Sequence, residues 1–436
     1  MRAIVSCLLS ALIWSFGAGS GIGSGARVAA AQLPSCDPDN GGITVPDGFC
    51  ALVVADNLGR ARHLTVSERG DLYVALNGNA QAKGGVIVLR DTTGDGRADI
   101  RQHFGDEVSG TGIAIHDRYL YFGRNTAIVR YPIGSDGLAP AGPPEVVVAE
   151  GFLDSAGHSA KPITFDDKGF LYVTVGAPSN SCERERTAHS PGRDPCPELE
   201  WQGGIWRFDA NKLGQTQKEN GVRYATGIRN AVAIEWNHSV GALYAVQHGR
   251  DRLDTWWPEH FTAEQDAELP AEEFLLIEER SEFSWPYCYF DAFQKRRVLA
   301  PEYGGDGKRT TGCERYPNPI LTFPGHYAPN DLLFYTGRQF PERFRNGAFV
   351  TFHGSQQRTP LPEQGYKLAF VPFKGRFPSA EWEVFADGFA GDKPLTSPRD
   401  ATYRPMGLAQ GPDGSLYISD SSKGRIWRVI YRGKRT

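Results

Sequence analysis

Six positions along the chain share a sequence context that could gather their side chains around one ligand. Each begins a short run with apolar residues at or near the second and fourth following positions, which is typical of a buried β-strand. The six residues are Arg62, Thr111, Lys161, Arg229, Asn330 and Arg404. Four of them are cations, and arginine can hold a carboxylate through two parallel hydrogen bonds. If the strands meet, the pattern predicts a site for a small polyanion; alternatively, each cation pairs with a carboxylate in a neighbouring loop.

A histidine lies close to one of these cations and could move a proton at the same place. His158 precedes Lys161 by three residues, in the stretch GHSAKP. Nearby cations lower the pKa of an imidazole and keep it neutral, which suits a general base. The alternative is a structural histidine, since the chain contains ten.

Oxygen-bearing side chains surround a glycine in the stretch DTTGDGRAD, at residues 91–99, and could bind calcium. The candidate ligands are Asp91, Thr93, Asp95 and Asp99, arranged around Gly96. Alternating hard oxygen ligands around a glycine turn are typical of calcium loops. A plain Asp-Gly hairpin explains the same residues equally well.

Repeated Leu-Tyr pairs identify the elements that must position these residues. Such pairs follow turn-like residues and begin at Leu72, Leu120, Leu171, Leu243 and Leu416, and Phe349 occupies the same place in a degenerate copy. Six units of short strands in a chain of this length predict an all-β, six-bladed β-propeller. The inner strand of each blade lines the central channel, so the six positions above would surround one mouth of it.

The two ends of the chain complement each other in this arrangement. The last unit contains three strands, and the segment at residues 49–58 supplies a fourth, so an N-terminal strand is expected to complete the last blade. The less regular stretch at residues 251–320 is expected to be a loop and helix excursion over one face of the ring. Its best helical candidate is AELPAEEFLLIEERSEF, at residues 267–283.

Composition and the first residues bear on location and partners. The net charge of −4 gives no overall positive field for nucleic acid. Residues 1–31 are expected to be a secretion signal peptide, leaving residues 32–436 as the propeller, with no later stretch long enough to span a membrane. The protein is therefore expected to be exported, either periplasmic or secreted.

Cysteine usage agrees with export. Six cysteines follow the expected signal peptide, and an even number in an exported chain favours disulfides. Fifteen connectivities are open, and we favour sequential pairs because each encloses a local, turn-rich loop. The favoured pairs are Cys36–Cys50, Cys182–Cys196 and Cys288–Cys313.

Several stretches together resemble the glucose/sorbosone dehydrogenase family of soluble quinoprotein sugar dehydrogenases. The matching stretches are ARHLTVSERGDLYVAL, GHSAKPITFDDKGFLYVTVG, ATGIRNAVAIEWN, APNDLLFYTGRQFPERFRNGAFVTFHGSQQR, GYKLAFVPF and RPMGLAQGPDGSLYISD. The resemblance covers residues 43–431 and implies a six-bladed propeller that uses pyrroloquinoline quinone (PQQ) and calcium. It also implies a sugar substrate, of aldose or polyol type, and an electron acceptor that the sequence does not specify.

The resemblance gives roles to individual residues. His158 matches the family's general base, and Arg229 with Asn230 matches an Arg-Asn pair beside the cofactor. Arg404 matches a basic residue at the entry to the last blade, and Arg358 is a further candidate carboxylate partner. The main-chain carbonyls of Gly249 and Arg250 match a Gly-Pro pair that binds the cofactor calcium, although Arg250 brings a cation where relatives have proline.

Two other functions remain open on the sequence. A non-catalytic propeller could bind a carbohydrate or a protein, since one fold hosts many functions. It would not need a histidine beside a ring of cations. A metal-dependent lactonase on a similar ring would need carboxylates at the channel mouth, where the sequence places cations.

Overall fold

Six sheets account for most of the regular structure in this computed structural model, which describes residues 33–149, 151–152 and 158–433. The expected signal peptide, residues 1–31, lies outside the described residues. The first strand is β1 (Phe49–Ala55), which belongs to the sheet formed by the last strands of the chain. Blade 1 contains β2 (Ala61–Val66), β3 (Leu72–Leu76), β4 (Gly85–Arg90) and β5 (Ile100–Phe104). Blade 2 contains β6 (Gly110–His116), β7 (Tyr119–Arg124), β8 (Ile128–Pro132) and β9 (Glu145–Val148).

The middle of the chain forms two more blades and the short helices. Blade 3 contains β10 (Ile163–Phe165), β11 (Phe170–Val175), β12 (Gly204–Asp209) and β13 (Val222–Thr226), with α1 (Gln217–Asn220) before β13. Blade 4 begins with β14 (Ala233–Asn237) and β15 (Ala242–Gln247). The helices α2 (Leu253–Trp256) and α3 (Ala263–Asp266) precede its third strand, β16 (Glu272–Ile277). A short strand, β17 (Ser281–Glu282), pairs in parallel with β13. The hairpin of β18 (Cys288–Asp291) and β19 (Arg296–Leu299) then precedes the fourth strand of blade 4, β20 (Leu321–Phe323).

The last two blades close the ring. Blade 5 contains β21 (Pro329–Phe334), β22 (Ala348–Phe352), β23 (Lys367–Val371) and β26 (Glu383–Ala386), with a hairpin of β24 (Phe373–Lys374) and β25 (Phe377–Pro378) before β26. Blade 6 contains β27 (Pro405–Gln410), β28 (Leu416–Asp420) and β29 (Ile426–Tyr431). The outer edge of β29 pairs with β1 in antiparallel register, Phe49 opposite Tyr431. The prediction that an N-terminal strand completes the last blade is confirmed.

The inner strands form a closed ring. In the order β2, β6, β10, β14, β21 and β27, each inner strand contacts the next, and β27 contacts β2. One apolar cluster fills each of the six spaces between neighbouring blades. Because both faces of each blade are covered in this way, the fold is the expected six-bladed β-propeller.

The Leu-Tyr pairs lie on the second strand of their blades, and three of the tyrosines bond to a neighbouring blade. The hydroxyl of Tyr121 in β7 donates to the carbonyl of Ala210 in blade 3 over 2.9 Å. Tyr244 in β15 donates to the carbonyl of Arg376, in the β24–β25 hairpin, also over 2.9 Å. Tyr73 makes the equivalent hydrogen bond to Gly137 in blade 2. In these three repeats the tyrosine therefore satisfies its buried hydroxyl at a blade interface, whereas Tyr172 donates to Asp166 within its own blade.

The irregular stretch at residues 251–320 corrects one prediction. Within the segment expected to be helical, residues 272–277 instead form β16, a central strand of blade 4. Side chains on both sides of β16 are buried between blades, so its apolar run is continuous, and periodicity alone cannot separate such a strand from a helix. The excursion that was expected consists of α2, α3 and the β18–β19 hairpin, which share a small apolar cluster around Leu253 and Tyr289.

The three favoured disulfides are all present, joining Cys36 to Cys50, Cys182 to Cys196 and Cys288 to Cys313. The first anchors the start of β1, and the second closes the loop after β11. A 15-residue loop closed in this way contributes about 3 kcal/mol in the chain-entropy description. In the part of the chain that the structure describes, no helix has the length and apolar character needed to cross a membrane.

Candidate active site

One mouth of the central channel opens into a polar cavity of about 790 Å³. The starts of the inner strands and the loops that enter them form its wall, as the register predicts. Arg62, Thr111 and Asn330 are second residues of β2, β6 and β21, whereas Arg229 and Arg404 lie just before β14 and β27. All five residues line this cavity, hereafter the channel-mouth cavity, together with His158 and Asn230.

The arginines at this mouth concentrate positive charge. The Nε of Arg62 donates to the hydroxyl of Thr111 over 3.3 Å, and the Nε of Arg404 donates to the carbonyl of His353 over 3.0 Å. Arg60 lines the same cavity. Burial, followed by the charges of Arg60 and Arg404, lowers the pKa of Arg62 to about 10. Among the described residues, no acidic side chain lies within 4.0 Å of these three guanidinium groups, so pairing with local carboxylates does not explain them.

Arg229 differs because it is held from several sides. Its Nη2 donates to the Oδ2 of Asp251 over 2.9 Å, and its Nη1 donates to the carbonyl of Gly249 over 2.6 Å. Its Nε and Nη2 also donate to the main-chain and side-chain oxygens of Asn180, over 3.2 and 3.0 Å. The pairing alternative is therefore correct for this one cation of the ring.

His158 lies on the wall of the same cavity, in a neutral form. Its Nδ1 is 2.6 Å from the carbonyl oxygen of Ala177, so the neutral ring donates from Nδ1 and has its lone pair on Nε2. Burial, and then the charge of Arg229, lower the pKa of His158 to about 3. A side chain at Gly176 would place its Cβ 2.7 Å from the Cβ of His158, so this position must remain small. The neutral imidazole of His158 is thus held at the wall of the cavity by the Ala177 carbonyl.

Two predicted cofactor residues do not line the cavity. Lys161 is fully buried, and its Nζ donates to the carbonyl of Ser159 over 2.9 Å. Arg358 is buried in the excursion, where Nη1 donates to the carbonyls of Ala267 and Gly325 over 2.9 and 2.7 Å and Nη2 pairs with Glu268. In this structure neither side chain lines the channel-mouth cavity, so a contact of Lys161 or Arg358 with the cofactor remains a prediction that the geometry does not favour.

Of the two residues whose carbonyls are predicted to bind calcium, only Gly249 lines the channel-mouth cavity. Gly249 lines the channel-mouth cavity, but its carbonyl accepts a hydrogen bond from Arg229 and its amide donates to Glu272 over 2.8 Å. The side chain of Arg250 is buried in an ion pair with Glu302 and does not line this cavity. The charge of Arg250, which the sequence places beside the predicted calcium site, is thus neutralised by Glu302.

The DTTGDGRAD stretch forms a turn stabilised by its own amides. The carboxylate of Asp91 accepts hydrogen bonds from the amides of Thr93, Gly94 and Gly96, over 3.1, 2.7 and 2.6 Å. The carboxylate oxygens of Asp91, Asp95 and Asp99 do not come within 4.8 Å of one another as a group. The amides satisfy Asp91, and this arrangement of Asp91, Thr93, Asp95 and Asp99 favours the hairpin alternative over a calcium loop.

Several cavity residues have no counterpart in the sequence prediction. His326 lies 3.5 Å from Asp251, and contacts with this carboxylate and the charges of Glu272 and Asp266 raise its pKa to about 9 despite burial. Glu272 accepts from the amides of Gly249 and Ala328, and burial raises its pKa to about 7. These residues lie outside the repeated strand motif and carry no periodic signal. Arg60 could have been found, since it precedes Arg62 by two residues and alternate strand residues share a face.

The sequence is similar to those of PQQ-dependent sugar dehydrogenases. A PQQ-dependent pyranose dehydrogenase from Coprinopsis cinerea is 25% identical over 268 residues, which cover 51% of this chain and 34% of that protein. A PQQ-dependent sugar dehydrogenase from Hypocrea jecorina is 23% identical over 227 residues, 48% of each chain. The chain thus matches less than half the length of either relative.

Solved structures extend the likeness over nearly the whole propeller. The holo form of the pyranose dehydrogenase PQQ domain from Coprinopsis cinerea has a TM-score of 0.68 and 19% identity, and the alignment covers 89% of this chain and 97% of that one. A calcium structure of a Trichoderma reesei carbohydrate-active enzyme of family AA12 has a TM-score of 0.72 and 18% identity, covering 92% and 99%. These values establish a common fold. The family described as TrAA12-like matches residues 43–432, so this protein belongs to that family.

Proposed function

We propose that the protein is a sugar dehydrogenase and that the channel-mouth cavity binds PQQ. One observation carries the proposal: Arg60, Arg62 and Arg404 converge on a cavity without an acidic partner among the described residues, and neutral His158 lies beside them. PQQ has three carboxylates, whose charge would offset this desolvated cluster. The donor set of the cavity therefore fits the cofactor that names the Coprinopsis cinerea and Hypocrea jecorina relatives.

The residues of the chain would share the work as follows. When bound, PQQ supplies the two-electron acceptor for a hydride from the carbon of the sugar. The Nε2 of His158 accepts the hydroxyl proton of the sugar, and the Ala177 carbonyl stabilises the resulting imidazolium through Nδ1–H. Arg229, fixed by Asp251 and Gly249, holds this wall of the cavity in place.

We also propose that the protein binds calcium and that it is exported. The Trichoderma reesei neighbour described as a calcium structure supports calcium as a second cofactor. The main-chain carbonyls of Gly249 and Arg250 are the oxygens that we assign to it, since calcium prefers oxygen ligands. In this structure the Gly249 carbonyl accepts a hydrogen bond from Arg229, so calcium binding there requires the Arg229 guanidinium to give up this contact. Three disulfides support an exported protein, because such bonds persist in oxidising compartments.

Reconstitution tests this function. Residues 32–436 are expressed, PQQ and calcium are added, and reduction of a dye is followed with a panel of aldoses. We expect PQQ-dependent turnover, and kcat lower by about 10²–10⁴-fold in His158→Ala, the range for loss of a general base. His238→Ala is a matched control, since His238 is exposed beside Asp167 in the turn after β14. Turnover that persists in His158→Ala would exclude the histidine as base, and absence of PQQ binding by a folded protein would overturn the proposal.

A further inference from the structure

A second cavity of about 720 Å³ adjoins the channel-mouth cavity and shares part of its wall. Its described lining comes from the loop after β11, from the start of α2 and from residues 356–357. His158, Arg229 and Asp251 line both cavities. A molecule in this second cavity, hereafter the side cavity, could therefore reach His158 while a cofactor occupies the channel mouth.

Three arginines line only the side cavity and have no carboxylate partner. For Arg184, Arg186 and Arg252, no acidic side chain lies within 4.0 Å in the described part of the chain. These three side chains are exposed, and other exposed arginines, such as Arg118 and Arg338, also form no ion pair with the described carboxylates, so what distinguishes the three is that they line one concave site. Three unpaired guanidinium groups in one concave site attract an anion.

The acidic residues of the side cavity do not offset this charge. Glu183 lines it, but its carboxylate accepts from the amide and hydroxyl of Ser181, over 2.8 and 3.2 Å. Asp251 is shared between Arg229, at 2.9 Å, and His326, at 3.5 Å. Two carboxylates face four arginines once Arg229 is included, in a chain whose overall charge is −4. The local excess of positive charge is thus a property of the site and not of the molecule.

The remaining lining suits a carbohydrate. Trp256 is buried, lines the side cavity, and has the guanidinium carbon of Arg252 5.9 Å from its ring centroid. Ser179, Gln356 and Gln357 add hydroxyl and amide groups. An aromatic wall with a few polar groups and charged residues that fix orientation is typical of small-molecule sites.

We infer that the side cavity is the substrate site and that the substrate is an anionic sugar, bearing a carboxylate or a phosphate. This inference rests on the proposed function. The hydroxyl to be oxidised lies at His158, and the anionic group lies among Arg184, Arg186 and Arg252. The reaction is unchanged: bound PQQ would supply the two-electron acceptor and His158 would accept the O–H proton, so no further reactant is needed.

Matched sugars test the substrate class. D-glucose, D-glucuronate and D-glucose 6-phosphate differ only at carbon 6, and D-galactose, D-galacturonate and D-galactose 6-phosphate form a second set. With the PQQ-loaded protein, we expect kcat/KM for at least one anionic sugar to exceed that of its neutral counterpart by about tenfold or more, as expected for a charge-assisted contact. The two anionic arms distinguish a carboxylate from a phosphate. Equal or lower kcat/KM for every anionic sugar would overturn the inference.

Variants of the side-cavity arginines test whether these residues cause the preference for an anionic sugar. Arg184→Gln with Arg252→Gln should lower kcat/KM for the anionic sugar by about tenfold or more, mainly through KM, and lower kcat/KM for the neutral sugar by much less. Arg118→Gln is the matched control, because Arg118 is exposed in the turn between β6 and β7. An equal loss for both sugars would contradict a contact with the anionic group.

Direct binding separates this inference from the proposed function. Calorimetric titration of the cofactor-free protein with the same six sugars needs no turnover. If PQQ fails to support oxidation but an anionic sugar binds and the double variant weakens it, the proposed function fails and the anionic site stands. If PQQ supports oxidation of neutral sugars only, and no anionic sugar binds more tightly, the function stands and the inference is wrong.

Discussion

His158 determines how the activity should depend on pH. Its pKa in the cofactor-free protein is about 3, and a bound polyanion would raise it because negative charge favours the imidazolium. Protonated His158 cannot accept a proton, so kcat/KM should fall on the acidic side as pH drops through this pKa and be level near neutral pH. The pH profile of turnover measures the limb, and NMR titration of His158 with and without PQQ measures the shift. A rate that rises as pH falls, or a pKa that PQQ leaves unchanged, would contradict a general base at this position.

Gly176 should act as a positioning residue. A Cβ at this position would lie 2.7 Å from His158 Cβ and 3.0 Å from the Oδ1 of Asn230, so Gly176→Ala must displace the wall that holds the base. We expect kcat to fall by about tenfold or more, since small misplacements of a catalytic group are costly, and Tm to fall as well, since the added methyl group overpacks this wall. Gly142→Ala is the control, because its Cβ would meet only Pro132, at 3.7 Å. Unchanged kcat in Gly176→Ala would show that the contact is relieved without moving His158.

At the residue scale, strand register could be predicted from sequence, but the direction of long side chains could not. Arg62 and Arg404 line the cavity as their positions predict, and in the described part of the chain no carboxylate lies within 4.0 Å of either guanidinium group. Arg358 turns away because the carbonyls of Ala267 and Gly325, distant in sequence, accept its hydrogen bonds. These partners of Arg358 come close to it only in the folded chain. Lys161 is different, because its Nζ donates to the carbonyl of Ser159, which is a near neighbour in sequence.

Among the elements, β1 should be the one whose loss opens the ring. Its Phe49 ring contacts Phe340, Phe344, Phe385 and Tyr431, with centroids 4.8, 5.4, 5.1 and 4.9 Å away. Phe49→Ala should lower the free energy of unfolding by about 2–4 kcal/mol, since it leaves a cavity and removes aromatic pairs. Phe293→Ala provides the comparison, because Phe293 is 64% exposed on the β18–β19 hairpin. Thermal and denaturant unfolding give both values, and equal losses would show that β1 does not close the propeller.

The elements that the sequence predicts best are those that repeat. The inner strands and the Leu-Tyr strands share turn residues and alternation, whereas β5 and β20 are outer strands with short, variable sequences. The prediction was wrong at β16 for a different reason. Both faces of this strand are covered, so its apolar run lacks the alternation that identifies a strand. Tertiary burial therefore decides the structure where local pattern is ambiguous.

For the whole molecule, buried titratable groups predict that stability falls as pH rises from about 6.5 to about 9. Burial raises the pKa of Glu272 to about 7 and that of Asp331 to about 8, and His326 reaches about 9, so the folded protein holds protons that the unfolded chain has released. The proton excess in the folded state makes the free energy of unfolding decrease with pH in this window. Below pH 6.5, His158 and His248 have lowered pKa values, about 3 and 4, and oppose the carboxyl groups. The curve should therefore be flatter there.

Glu235 offers a variant for this pH dependence. Burial raises its pKa well above the usual range, and its Oε2 accepts from the amide of Phe334, a contact that glutamine can keep. Glu235→Gln should lose less stability than the wild-type protein between pH 6.5 and pH 9, and Glu68→Gln, at an exposed turn, should behave as wild type. Tm measured across this range gives the comparison. A wild-type Tm that rises over the window would contradict the predicted sign.

The sequence predicts the architecture of the whole molecule better than it predicts individual side-chain contacts. A six-unit repeat, complementary ends and six cysteines together leave few folds open, and the structure has the expected blades and disulfides. The sequence does not show the side cavity, because its arginines come from separate loops whose approach depends on the folded ring.

The most direct measurement of the central claim is a titration of the purified protein with PQQ, followed by absorbance and calorimetry. A single saturable site is predicted, and Arg62→Gln with Arg404→Gln should weaken its Kd by about tenfold or more, since two charge-assisted contacts are lost. Arg338→Gln, on an exposed loop after β21, should bind as wild type. Absence of saturable binding in a folded protein, or binding that the double variant leaves unchanged, would contradict the assignment of the channel mouth to PQQ.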